Sequence, residues 1–147
     1  MRRKLYARLK EWKGGRRKTA LLIDGARRVG KTYLMLEFAK KEYEHFLYLD
    51  FSRVSSRIKE LFREELADLD QFFMELEAAT RVHLPLEGGL IIFDEVQLFP
   101  KAREAIRHLV ADGRHQFIEN GRENRVALAA RMKRPRLNDK VSQVAEH

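Results

Sequence analysis

The chain has 147 residues, 44% of them hydrophobic and 35% charged, with no cysteine and a formal net charge of +8. A chain of this length supports one core rather than two ordinary domains. The absence of cysteine excludes disulfides, thiolate catalysis and cysteine-held metal, and no apolar run approaches the roughly 18 residues of a membrane span.

The charge is unevenly spread. Residues 1–18 carry nine Lys/Arg against one Glu, residues 19–120 carry fourteen against eighteen acids, and residues 121–147 carry seven against three. Residues 1–18 are expected to form a basic N-terminal helix, because Leu5, Leu9 and Trp12 recur at helical spacing. Such an arm could neutralise nucleic-acid phosphates, but a solvated amphipathic helix is the more ordinary reading of a charge run. The same stretch lacks the apolar segment of a secretory signal, so a cytoplasmic setting is expected.

After Gly14-Gly15, the run Thr19 to Asp24 reads as a strand covered on both faces. Lys31 to Tyr43 then places Leu34, Met35, Phe38 and Ala39 on one side of a helix. Phe46 to Phe51 reads as a second strand, joined to the first by a helical crossover long enough for a parallel pair. From Ser55 to Thr80 the pattern is helical, with a break at Asp68 to Asp70, since aspartate favours a helix N-cap. Leu90 to Asp94 is the most apolar strand, and its carboxylates come only at its C-terminal end, where open α/β sheets bind ligands. Pro100 suits the first turn of another helix and Gly113 its stop. Gln116 to Ile118 suggests a fourth short strand and Asn120-Gly121 a turn. Arg122 to Arg134 could form a helix, and Leu137 to His147 shows no periodicity. The expected division is a basic helix (1–18), an α/β core (19–120) and a basic atypical tail (121–147).

Gly25-Ala26-Arg27-Arg28-Val29-Gly30-Lys31-Thr32 fits the phosphate-loop pattern G-x-x-x-x-G-K-[ST], and it lies between a strand and a helix as that mechanism requires. Glycines allow a tight turn in which main-chain N–H groups converge on phosphate oxygens, and the next helix directs its positive end at the same place. Lys31 is the expected contact to the β- and γ-phosphates and Thr32 the expected Mg²⁺ ligand, with Tyr33 closing the segment. Asp94 would hold Mg²⁺, usually through water, and Glu95 would polarise the water that attacks the γ-phosphate. Asp24 lies close to the phosphates, and Arg27 and Arg28 are candidates to compensate its charge. The five histidines show no ligand spacing, which argues against zinc.

These motifs resemble those of prokaryotic P-loop ATPases of the AAA superfamily, from about Lys18 to Glu119. The loop is similar to that family's Walker A element, and Phe93-Asp94-Glu95-Val96-Gln97 is similar to its Walker B element. The resemblance implies an α/β three-layer sandwich with a parallel sheet in the order 5-1-4-3-2. It also implies ATP binding, Mg²⁺-dependent hydrolysis and a possible homo-oligomer. A partner, DNA or protein, stays unidentified. Relatives carry a polar γ-phosphate sensor where this chain reads Glu119-Asn120-Gly121-Arg122, so Asn120 is the substitute. The family's fifth strand and its C-terminal winged-helix-like region are not visible, which leaves the first strand an expected sheet edge. The chain therefore reads as a truncated ATPase with an altered tail, for example from a shifted reading frame. The alternative is a nucleotide-binding module or remnant with little or no hydrolysis, associated with nucleic acid through its basic ends.

Overall fold

The computed structural model describes residues 2–15, 20–24, 29–122 and 141–143. Along the chain run α1 (Arg2–Gly14), β1 (Leu21–Asp24), α2 (Val29–Glu42), β2 (Phe46–Asp50), α3 (Ser56–Glu64), α4 (Leu69–Thr80), β3 (Gly89–Asp94), a 3₁₀ turn (Val96–Leu98), α5 (Pro100–Asp112), β4 (His115–Gly121) and β5 (Val141–Gln143). Local chemistry explains several boundaries. The Ser55 hydroxyl accepts from the Ile58 N–H and starts α3, and the Asp68 carboxylate accepts from the Gln71 N–H and starts α4. Each cap satisfies a main-chain donor that the first helical turn leaves without a partner. The two caps divide the long periodic stretch where the aspartates suggested. Pro100 opens α5, and Gly113 closes it at φ 83°, a left-handed conformation that glycine takes without a Cβ penalty.

The sheet order is β2-β3-β4-β1-β5. The first four strands pair in parallel, with Asp50 opposite Asp94, Asp94 opposite Asn120, and Asp24 opposite Gly121. This register brings the C-terminal ends of β1, β3 and β4 to one edge. Alternation along the strands builds the two faces of the sheet. Leu90, Ile92, Ile118, Leu21 and Ile23 pack with α1 and α2 through Leu9, Trp12, Met35 and Phe38. Ile91, Phe93 and Phe117 pack with α3, α4 and α5 through Phe62, Phe72, Leu76, Ile106 and Leu109. The result is the three-layer α/β sandwich expected from the sequence. The stripe Leu5, Leu9 and Trp12 of α1 is buried, and the Lys13 ammonium donates to the Glu42 carbonyl at 2.7 Å.

Two expectations are corrected. Asn120-Gly121 is not a turn, because β4 continues through Gly121: Asn120 is paired with both β1 and β3, and Gly121 with Asp24 of β1. Nor is β1 an edge strand. Val141–Gln143, in the stretch where no periodicity was visible, pairs antiparallel with Ile23, Leu22 and Leu21. Three residues are too few to show an alternation, and their role is to satisfy β1 main-chain groups that would otherwise stay open. The parallel fifth strand of the expected order is thus replaced by a short antiparallel one. The helix expected over Arg122 to Arg134 falls mostly outside the described residues.

His115, at the start of β4, is 6% exposed, accepts at Nδ1 from the Gly89 N–H at 3.0 Å and meets the edge of Phe73. Burial, reinforced by the Arg114 charge, depresses its pKa from 6.5 to about 4. An unfolded chain gains the proton near 6.5, whereas the folded one resists it until about 4. Stability is therefore full above pH 6.5 and is lost as the pH falls through this window. The expected loss is on the order of 2 kcal/mol, below the full linkage value because the ring is not wholly shielded from water. Denaturant midpoints between pH 4 and 7 check this, and a His115→Gln variant is expected to give a flatter profile.

Candidate functional site

The site forms where β3 ends. Phe93 is locked by edge-on contacts with Phe51 (5.3 Å), Phe62 (5.5 Å) and Phe117 (5.9 Å). Ring pairs of this kind add stabilisation beyond their buried area. The next residue, Asp94, is 3% exposed and stands on that rigid base.

Four donors converge on the Asp94 carboxylate. Thr32 Oγ1 donates to Oδ2 at 3.1 Å, and the Tyr48 hydroxyl makes a short hydrogen bond to the same oxygen. The Asn120 Nδ2 amide donates to Oδ1 at 2.7 Å and the Glu95 N–H to Oδ1 at 2.9 Å. They come from α2, β2, β4 and β3's own exit, so the sheet register and the first turn of α2 assemble the cluster together. A buried carboxylate is costly unless hydrogen-bonded, and these donors supply the partners that water would otherwise provide. Thr32 and Asp94, 62 positions apart in sequence, are thereby brought into contact.

Glu95 has φ 55° and ψ 39°. A non-glycine residue held in this left-handed region costs on the order of 1–2 kcal/mol and persists only where its surroundings fix it. Here the turn turns the chain sharply out of β3 and into the 3₁₀ segment. Gln97 Nε2 donates to Glu95 Oε1 at 2.8 Å. A second tie crosses from α5 to the end of β4: Arg103 Nε donates to Glu119 Oε1 at 3.3 Å and Arg103 Nη1 to the Arg122 carbonyl at 3.1 Å. Glu119 is fully buried, so this pair fixes the strand segment that carries Asn120.

The remaining expected residues divide as follows. Val29 and Gly30 form the start of α2, with Lys31, Thr32 and Tyr33 in the next positions, so the helix begins two residues earlier than its apolar pattern suggested. Tyr33 is exposed. Gly25, Ala26, Arg27 and Arg28 lie outside the described residues. Asp50, at the end of β2, caps its own turn by accepting from the Ser52 N–H at 3.0 Å and the Ser52 hydroxyl at 2.6 Å.

Sequence reasoning missed Tyr48 as a site residue. Its signal was available, since in a parallel pair two residues before Asp50 lies a position with a long polar tip on the strand next to β3. Burial, and after it the Asp94 carboxylate, raises the Tyr48 pKa well above its ordinary value, so the hydroxyl stays a donor. Replacing Tyr48 with phenylalanine leaves Asp94 Oδ2 with one donor fewer. The expected cost is about 1–2 kcal/mol, read as a fall of roughly 3–6 °C in the thermal midpoint.

Among the described residues, no group of three or more His, Asp or Glu side chains is arranged to hold a metal unaided. No described helix is long and apolar enough to cross a membrane. A family model described as an AAA domain matches residues 17–138, most of the chain. No match was found among curated proteins.

Proposed function

The chain belongs to the AAA domain family, and from that premise we propose that it binds ATP with Mg²⁺ and hydrolyses it. The observation that carries the reading is the hydrogen bond from Thr32 Oγ1 to Asp94 Oδ2 at 3.1 Å, which joins the end of the phosphate-loop motif to the acid after β3.

The donor set suits Mg²⁺. The ion prefers hard oxygen ligands and takes few of them from protein, leaving the rest to water and phosphate. The Thr32 hydroxyl and the Asp94 carboxylate, in contact at 3.1 Å, are oxygen donors of the kind the ion takes. Thr32 and Asp94 would hold the ion, and when bound it neutralises charge on the β- and γ-phosphates. Residues 25–32 supply the phosphate cradle in this reading, with Lys31 as the point charge against the β- and γ-oxygens.

Glu95 is the water-activating carboxylate. It follows Asp94 directly, and its left-handed backbone marks the turn by which the chain leaves β3. In the reaction, water oxygen bonds to the γ-phosphorus and the bond from that phosphorus to the β,γ-bridging oxygen breaks. ADP leaves with the bridging oxygen, and Glu95 accepts the water's proton. Catalysis of this kind works by positioning and charge stabilisation rather than by a covalent intermediate. Asn120 is the γ-phosphate sensor in this account, and its amide already reaches the same carboxylate that orders the metal side of the site.

Release of phosphate from ATP by the purified chain tests the proposal. Mg²⁺-dependent release supports it; tight nucleotide binding with no release would leave a binding module instead.

A further inference from the structure

Gln97 has no part in the reaction as just described, yet its side chain joins two elements of the site. Its Nε2 donates to Glu95 Oε1 at 2.8 Å, and its Oε1 accepts from the Arg122 main-chain N–H at 3.2 Å. The orientation of the carboxamide follows from its partners, since a carboxylate can only accept and a main-chain N–H can only donate. No simpler side chain does both. A carboxylate at this position would accept from Arg122 but repel Glu95, and a hydrocarbon would contact neither partner.

The place where Gln97 attaches is not arbitrary. Arg122 follows Gly121, the partner of Asp24, which is the last residue before the phosphate-loop motif. Asn120, one residue earlier, is the partner of Asp94 and its donor at 2.7 Å. Gly121 gives the carboxamide room to lie against β4: a Cβ there would press on Gln97 Oε1 and come within 3.0 Å of Val96 Cγ1. Arg103 fixes the same segment as well, through Glu119 and the Arg122 carbonyl. The 3₁₀ turn is thereby tied to the short stretch of β4 that lies between the two nucleotide motifs.

We propose that Gln97 is a positioning residue for the hydrolytic step: it holds the Glu95 carboxylate and couples it to the end of β4, so that a shift at Asn120 to Arg122 is passed to Glu95. The inference rests on the reading of Glu95 as the water-activating group. A glutamate held less firmly would still accept a proton but would spend less time aligned with the water, so the loss falls on kcat and not on nucleotide affinity.

Two near-isosteric variants test it, each compared with the parent and with Lys31→Ala. Gln97→Leu removes both contacts. It is expected to lower kcat by about tenfold or more with KM for ATP within about twofold, and to accelerate hydrogen exchange at the Arg122 amide. Gln97→Glu keeps an acceptor for Arg122 but sets an anion against Glu95. It is expected to lose kcat to a similar degree while Arg122 keeps its protection, and it serves if Gln97→Leu folds poorly. Unchanged kcat in either folded variant, or a raised KM with kcat intact, overturns the positioning role. A parent whose turnover is absent or survives Lys31→Ala defeats the functional reading, and this role with it; Lys31-dependent turnover with parental kcat in the variants defeats this inference alone.

Discussion

Glu95→Gln is expected to lower ATP turnover by at least about a hundredfold while leaving nucleotide affinity within about threefold, the scale typical of removing a general base. The substitution keeps the shape of the side chain and an oxygen able to accept from Gln97, so the turn at φ 55° has no new reason to relax. What it removes is the capacity to take a proton from water. Because Thr32, Asp94 and Lys31 are untouched, binding of the substrate phosphates should persist. Single-turnover phosphate release alongside equilibrium binding of ATP measures both quantities. Parental turnover in the variant would show that another group activates the water.

The second large effect is expected from Lys31→Ala. Lys31 stands in the first turns of α2, directly before the Thr32 that contacts Asp94. In the proposed complex its ammonium meets the β- and γ-phosphates, and hydrogen bonds between ionised groups contribute about 1.5–3 kcal/mol each. Truncation should therefore weaken ATP binding by roughly tenfold to a hundredfold or more, with a matching loss of kcat/KM. Titration of a fluorescent ATP analogue against parent and variant reads this directly. Equal affinities would remove the phosphate loop from the site.

Much of the fold was legible because its signals are local. Leu90 to Asp94 announces a buried strand by continuous apolar character, and Ser55, Asp68, Pro100 and Gly113 mark helix ends through capping chemistry that needs only neighbouring residues. Thr32 and Asp94 each stand out through their motifs, but their hydrogen bond to one another needs the fold. What stayed hidden depends on register between distant segments. Gly121 looks like a turn glycine until Asp24 of β1 is seen to pair with it, and Val141–Gln143 has no pattern that would identify it as a strand without β1 beside it. Tyr48 and Gln97 escaped for a related reason. One is a β2 residue whose hydroxyl matters only because Asp94 lies across the sheet, and the other acts through a carboxamide bridge to Arg122, 25 residues away. The pair of Arg103 with the buried Glu119 likewise has no sequence spacing that would predict it.

The measurement that bears most directly on the central claim is the thermal midpoint of the chain with and without Mg²⁺-ATP, run beside Lys31→Ala. A ligand that binds only the folded state stabilises it by mass action, by about 2.7 kcal/mol at a hundredfold excess over Kd. For a chain of this size that corresponds to a rise of roughly 5–10 °C. The account predicts such a rise in the parent and its loss in the variant. The same midpoint with and without nucleotide in the parent, or an equal rise in Lys31→Ala, would contradict it.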